Sequence, residues 1–236
     1  MRVSTVRFQV LLGVLAIIFS LFPAPYKACA DDDSTQARHM VEKARMTLES
    51  FAKAPEMGVL RDLLKSARGV FISPQILRGA FVIGVSGGSG VFLVRGKGDW
   101  AGPAFYTIGG ASLGFQIGGD ASEVVLVAMT ERGVNSLLAN SVKLGGDVGV
   151  AVGPVGAGAE ASTANLSADI ISFSRAKGLY GGISLDGAVI AVRESLNSAY
   201  YSRNASPADI LIARSVQSDH AARLRSELAK LAGGNH

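Results

Sequence analysis

The order of apolar and polar positions divides the chain into a helical start, a long β-rich middle and a helical end. In "DDDSTQARHMVEKARMTLESFAKA", residues 31–54, Ala37, Met40, Val41, Ala44, Leu48 and Phe51 recur near helical spacing with charges between them. This predicts an amphipathic helix over Ser34 to Ala54, with Ser34 as its N-cap and Pro55 as its stop. A second, shorter helix is expected over Glu56 to Arg68, carried by Met57, Leu60, Leu63, Leu64 and Ala67 and broken at Gly69. Stripes of this kind on a globular domain pack inward more often than they meet a membrane.

From Gly69 the period changes. "GVFIS", "GAFVIGVS", "SGVFLVRG", "AFYTIGGASLGFQIGG" and "SEVVLVAM" are short β-rich runs broken by glycine, and "KLGGDVGVAVG", "VGAGAEAST", "DIISFSRAKGLYGGISLDG" and "AVIAVRES" continue them. The intervals leave little room for crossover helices, so the strands should be largely antiparallel. Thr130 to Asn140 is the one helical interruption, capped by Thr130. Helix returns at Glu194 to Tyr201, at the segment opened by Ser206-Pro207, and at Asp219 to Ala232, which Gly233-Gly234 closes. The 29 glycines fit a sheet that bends hard, because glycine permits bulges and close approach of backbones. The expected architecture is α+β: a strongly curved, mostly antiparallel sheet or partial barrel with amino- and carboxyl-terminal helices.

The first thirty residues stand apart from that body. Arg2 and Arg7, the apolar run Val10 to Phe22, Pro23 and Pro25, and the small-x-small site Ala28-Cys29-Ala30 follow the order of a secretory signal. The run is short for a membrane span. The expected organisation is therefore a signal over 1–30 and a single domain over 31–236, exported to the periplasm or envelope. Cys29 is the only cysteine, so cleavage at Ala30 leaves none for a disulfide. The alternative is lipidation of Cys29 as the new first residue, although Tyr26-Lys27-Ala28 matches the usual lipoprotein approach poorly.

Charge then loses most of its apparent meaning. The whole chain carries +4, but removing the signal takes three basic residues and no acid, leaving +1 and no argument for nucleic acid. Ser34 to Trp100 holds ten basic residues against five acids, whereas Ala101 to Ile170 holds two against six. The amino-terminal section suits either an anionic lipid surface or ordinary solvated helix faces.

Catalytic chemistry is weakly represented. Gly84-Val85-Ser86-Gly87-Gly88 matches G-x-S-x-G, but "SGVFLVR" follows where a nucleophile elbow needs a helix, so Ser86 is expected in a turn between strands. His39, His220 and His236 are scattered, with only Asp219 beside His220. No dinucleotide or Walker loop is present, and neither a metal nor another cofactor is called for. Asp120, Glu123, Asp147 and Asp169 read as isolated surface or turn acids.

Several blocks together carry a resemblance. "SARGVFISP", "GGSGVFLVR", "GDWAGPAFYTIGGASLGFQIGGD", "KLGGDVGVAVGPVG", "SRAKGLYGGISLDGAVI" and "NSAYY" stand in the order and spacing of the SYLF family of lipid-binding domains, across about Ala37 to Tyr201. The resemblance implies a non-enzymatic domain that associates with phospholipid. Eukaryotic members use phosphoinositides and an amino-terminal amphipathic helix, and some fungal members bind actin. An exported member would meet neither cytoplasmic phosphoinositides nor actin, so the expected partner is an anionic phospholipid or membrane surface.

On this chain the headgroup candidates are Lys43, Arg45 and Lys53 of the first helix, interrupted by Glu42 and Glu49 and preceded by three aspartates. Trp100, Phe105 and Tyr106 are candidates for the headgroup interface, where aromatics are favoured, set against a packing role in the sheet. The alternative function is a secreted structural or protein-interaction domain without lipid binding.

Overall fold

The computed structural model describes residues 30–80, 83–113, 118–156, 167–181 and 185–233. Helix α1 spans Ala30–Lys53, and a 3-10 turn at Pro55–Met57 leads into α2, Gly58–Ser66. Four long strands follow: β1 Gly69–Ala80, β2 Ile83–Arg95, β3 Trp100–Leu113 and β4 Gly118–Ala128. Helix α3, Glu131–Leu138, interrupts before β5 Ser141–Lys143, β6 Val150–Val152, β7 Ile170–Ala176, β8 Leu179–Gly181 and β9 Val189–Val192. The chain ends with α4 Glu194–Tyr201, α5 Pro207–Leu211, a 3-10 turn at Asp219–Ala221 and α6 Ala222–Leu231.

The expected α+β architecture is present, with a curled sheet ordered β5-β9-β3-β2-β1-β4-β7-β6 and β8 paired back on β7. Every pairing of named strands is antiparallel except β6 with β7. One face packs Val70, Val91, Phe105 and Val125 against Leu48 and Phe51 of α1, Leu60 and Leu64 of α2, and Leu224 and Leu228 of α6. The other face packs Phe71, Phe92, Tyr106 and Leu126 against Leu137 of α3 and Ile210 and Leu211 of α5. Strand alternation divides adjacent residues such as Val70 and Phe71 between the two cores.

Several boundaries differ from the sequence reading. Helix α1 begins four residues before Ser34, which lies a turn inside it and is not its cap; the aspartates ahead of Ser34 suit the positive amino-terminal end of the helix. The second helix stops at Ser66 because Arg68 N already donates to Ala128 O at 2.9 Å and Gly69 opens β1. Thr130 caps α3 as expected, its Oγ1 accepting from Gly133 N at 3.0 Å. Ser206 caps α5 through a reciprocal box with Asp209.

The largest correction lies in the glycine-rich stretch. Ser86 is not in a turn but inside β2, paired with Arg78 on one side and Gly110 on the other. Gly88 and Gly90 allow strands to press together: a Cβ on Gly88 would stand 2.3 Å from Gln75 O, and one on Gly90 2.6 Å from Ile72 O. The run "VGAGAEAST" falls largely outside the described residues, as do Cys29 and the signal.

Candidate functional site

The most site-like feature begins with a proline in a strand. Pro74 cannot donate to a ladder, and β1 loses register there against both neighbours, between Ile72 and Gln75 toward β2 and between Ser73 and Ile76 toward β4. After the bulge, Ile76 enters the second core and Leu77 points to the α1 side, opposite Gly87 of β2 and Ala121 of β4. A groove therefore runs between the exposed flank of α1 and the sheet. Its two stretches meet at Lys43, Pro74 and Gln75 and hold about 360 and 520 Å³.

The first stretch continues over Met46, Ser122 and Lys177, and the second over His39, Met40, Leu77 and Gly87. Met46 is 53 % exposed and Leu77 56 %, while Leu179, beside the Lys177-Gly178 turn, reaches 77 %. Lys43 and Lys177 make no ion pair among the described residues. Two acids line the groove: Asp32 borders the second stretch near the start of α1, and Glu123 in the first pairs with Arg175 and accepts from Thr47 Oγ1 at 3.0 Å. Burial opposes the Arg175 charge, but Glu123 and Tyr180 outweigh it and raise its pKa. Arg175 also donates to Ser50 Oγ, and Tyr180 OH to Ser50 O at 3.1 Å, which clasps α1 to β4, β7 and β8.

At the other end, Arg193 bridges Ser89 Oγ at 3.1 Å and Gln36 Oε1 at 3.0 Å, fixing the start of α1 against β2.

The candidate residues from the sequence do not assemble into one patch. Lys43 lies in the groove. Arg45 is on another flank, paired with Glu42 and Glu49 and facing Arg223 and Lys230 of α6. Lys53 is exposed and lies 3.8 Å from Glu49. Trp100, Phe105 and Tyr106 are buried, which removes them from any headgroup interface and gives them packing roles. Trp100 lies under the Arg95 guanidinium, 5.5 Å from the ring centre, and Phe105 meets Tyr200 edge-on. Tyr106 packs edge-on against Phe71 and Phe92; among the described residues its hydroxyl has no hydrogen-bond partner, and burial pushes its pKa up.

The apolar stripe of α1 is likewise consumed by the fold, with Ala37, Val41, Ala44, Leu48 and Phe51 buried in the first core. Toward the groove, α1 offers the flank with His39, Lys43 and Met46. Sequence reading missed Met46, Leu77, Lys177 and Leu179; the available signal was Pro74 inside a β-rich run.

Three of the four acids expected to be isolated are engaged. Besides Glu123, Asp169 accepts from Thr130 Oγ1 at 2.6 Å, and Asp147 accepts from Lys143 N at 2.8 Å. His220 is not aligned with a nucleophile; its Nδ1 lies 3.2 Å from Tyr200 OH and its Nε2 3.8 Å from Glu42. Among the described residues Ser86 Oγ reaches only Gly110 O, at 3.4 Å.

These features define a class of α+β protein in which helices from both ends of the chain clasp one face of a curled, nearly all-antiparallel sheet. Residues 109–231 match the Ysc84 family model, described as "Las17-binding protein actin regulator". The chain is 33 % identical over 183 residues to LAS seventeen-binding protein 3 of Saccharomyces cerevisiae, covering 73 % of this chain and 40 % of that protein. It is 29 % identical over 178 residues to SH3 domain-containing YSC84-like protein 1 of Homo sapiens, covering 72 % of this chain and 52 % of the relative. The chain belongs to the Ysc84, or SYLF, family. It spans about two-fifths to one half of the length of these relatives.

Proposed function

We propose that this chain is an exported, non-enzymatic module that associates with an anionic phospholipid surface through the groove face. The observation that carries this reading is Lys43 and Lys177, which make no ion pair among the described residues, set among the exposed apolar side chains Met46, Leu77 and Leu179. Lysines near an anionic surface contribute on the order of 1 kcal/mol each, and exposed apolar side chains add a shallow insertion. Among the described residues no helix is long and apolar enough to cross a membrane. The signal-like start supports export to the envelope, with Cys29 as an alternative lipid attachment point.

Co-sedimentation with phosphatidylglycerol and phosphatidylcholine vesicles tests the reading. The protein is expected to favour the anionic vesicles, and Lys43→Glu with Lys177→Glu to abolish the preference. Arg45→Glu with Lys53→Glu, on the other flanks, should have the smaller effect. Equal recovery on both vesicle types would remove the electrostatic mechanism.

The relatives' names favour a second reading. The family model is described as a Las17-binding actin regulator and the yeast relative is named for LAS seventeen binding, a protein-partner role. Under that reading the same groove face receives a protein, and cross-linking recovers a partner without any vesicle binding.

A further inference from the structure

Four glycines at the far end of the sheet are explained neither by packing nor by backbone shape. Gly88 and Gly90 are required by strand approach, but a Cβ on Gly79 or Gly87 would meet nothing within 4 Å. On Gly109 or Gly119 it would meet only a carbonyl in ordinary contact, at 3.4 and 3.5 Å. None of them has the positive φ that calls for glycine. All sit inside strands, where glycine weakens the ladder.

Their placement is regular. Alternation from Val91 and Phe105 of the first core brings Val85, Gly87, Gly109 and Ala111 to the α1 side, and the ladders set Leu77, Gly79, Gly119 and Ala121 beside them. Each of the four long strands thus shows one apolar side chain on this face and, two positions away, one glycine. Across the strands one row reads Ala121, Leu77, Gly87, Gly109, and the next reads Gly119, Gly79, Val85, Ala111. Half a turn about the centre returns the same pattern, with valine in the place of leucine. Leu77 and Val85 are more than half exposed, and the other positions are exposed apart from half-buried Gly109.

The face selects its occupant. None of these residues is charged, so a charged partner or headgroup finds nothing there to pair with. β1 and β2 are each paired on both sides, so an extended peptide finds no strand edge. A second copy of the chain needs neither. About a two-fold axis lying between two such faces and across the strands, each apolar side chain comes over a glycine of the same strand in the other copy. Leu77 lies over Gly79, Val85 over Gly87, and Ala111 and Ala121 over Gly109 and Gly119, the same patch serving both partners. That axis also sends the two helix layers to opposite ends of the pair, where they do not collide. On a strand grid the patch covers roughly 250 Å² per copy, against about 800 Å² per partner in a standard stable interface. The pairing is therefore weak and depends on concentration.

We infer that two copies of the chain pair through this face, the apolar side chains of each seated on the glycines of the other. Lys43 and Lys177 lie outside the patch, so the pairing is independent of the lysines that carry the membrane reading.

Sedimentation velocity of the protein isolated after export, in a concentration series into the high-micromolar range, should show a reversible shift from monomer to dimer. Gly79→Leu sets a leucine against Leu77 of the other copy and should weaken the dimer about tenfold or more, as overpacking a close contact does. Leu77→Gly combined with Gly79→Leu exchanges knob and hollow along β1 and should restore the dimer, which a purely folding role for Gly79 would not produce. Gly87→Ala fills the hollow under Val85 with little burden on the fold. It should melt at or above the wild-type temperature at low concentration and still weaken the dimer.

A wild-type chain that stays monomeric throughout the series would overturn the pairing. A dimer undiminished in both Gly79→Leu and Gly87→Ala would also overturn it, placing the contact on another face. A monomer that loses binding to phosphatidylcholine vesicles on Gly79→Leu would overturn it too and assign the face to an acyl surface. The preference for phosphatidylglycerol vesicles should persist in Gly79→Leu and Gly87→Ala, so failure of the pairing and failure of the membrane reading are read separately.

Discussion

At the scale of single residues, Asn197 shows how a polar side chain becomes part of a core. It is fully buried on α4, yet its Oδ1 accepts from Phe105 N at 2.9 Å, so the amide acts as a substitute strand partner for β3. Asn197→Ala leaves that backbone donor unpaired and should cost about 1–3 kcal/mol, read as a lower urea midpoint at unchanged slope. The glycines divide in the same physical terms. Gly90→Ala drives a Cβ into Ile72 O and the Phe71 ring and should cost about 1–3 kcal/mol. Gly87→Ala meets open space and should be neutral or stabilising by up to about 1 kcal/mol. A pair of thermal melts distinguishes them. Sequence alone counts both as glycines in a β-rich run; the difference depends on which residue the neighbouring strand brings opposite each.

At the scale of elements, α1 is held by polar contacts as well as by its apolar stripe. The clasp of Thr47, Ser50, Glu123, Arg175 and Tyr180 connects it to three strands. Glu123→Ala leaves Arg175 without its carboxylate at a partly buried site and should destabilise by about 1–2 kcal/mol, discounted for partial solvent access. Chemical denaturation measures the loss, and Glu123→Gln should recover part of it by keeping the Thr47 contact.

A second tie, at His220, is sensitive to pH. Burial, then the nearby Arg38 charge, lowers its pKa below the ordinary 6.5, and Glu42 opposes this without prevailing. The folded protein therefore binds this proton more weakly than the unfolded chain. Its contribution is fully present above pH 6.5 and is lost as pH falls from there through the depressed folded value. His220→Gln retains a neutral side chain facing Tyr200 and should flatten that part of the stability profile. An unchanged difference between wild type and variant from pH 7.5 to 5 would show that the site is not coupled to folding. The helices themselves were legible from spacing and caps, as with Thr130 and Ser206-Pro207. Their polar ties were not, because Glu123 and Arg175 lie 52 positions apart and only the β4–β7 register brings them together.

At the scale of the whole molecule, the curled sheet and its flanking helices follow from the change of period and the glycine content, but the proposed binding face does not. The sequence suggests a basic helix, whereas the fold hides its apolar stripe, ties up Arg45, and joins Lys43 to a lysine 134 positions later in the chain. That pairing makes a quantitative prediction about binding to anionic vesicles. Lys43→Gln and Lys177→Gln should each weaken association by about fivefold, the equivalent of about 1 kcal/mol per surface lysine.

Both contributions should fade as salt rises, since charges more than about 8 Å apart are largely screened at physiological ionic strength. Leu179→Ser removes a side chain that is 77 % exposed, so it should leave the melting temperature unchanged. It removes apolar area and not charge, so its loss of vesicle binding should persist at high salt. Salt titrations of the three variants thus separate the two parts of the surface. If the lysine variants and the leucine variant lose binding with the same salt dependence, the two kinds of side chain do not act as distinct electrostatic and apolar contacts, and the groove face is not where the membrane is met.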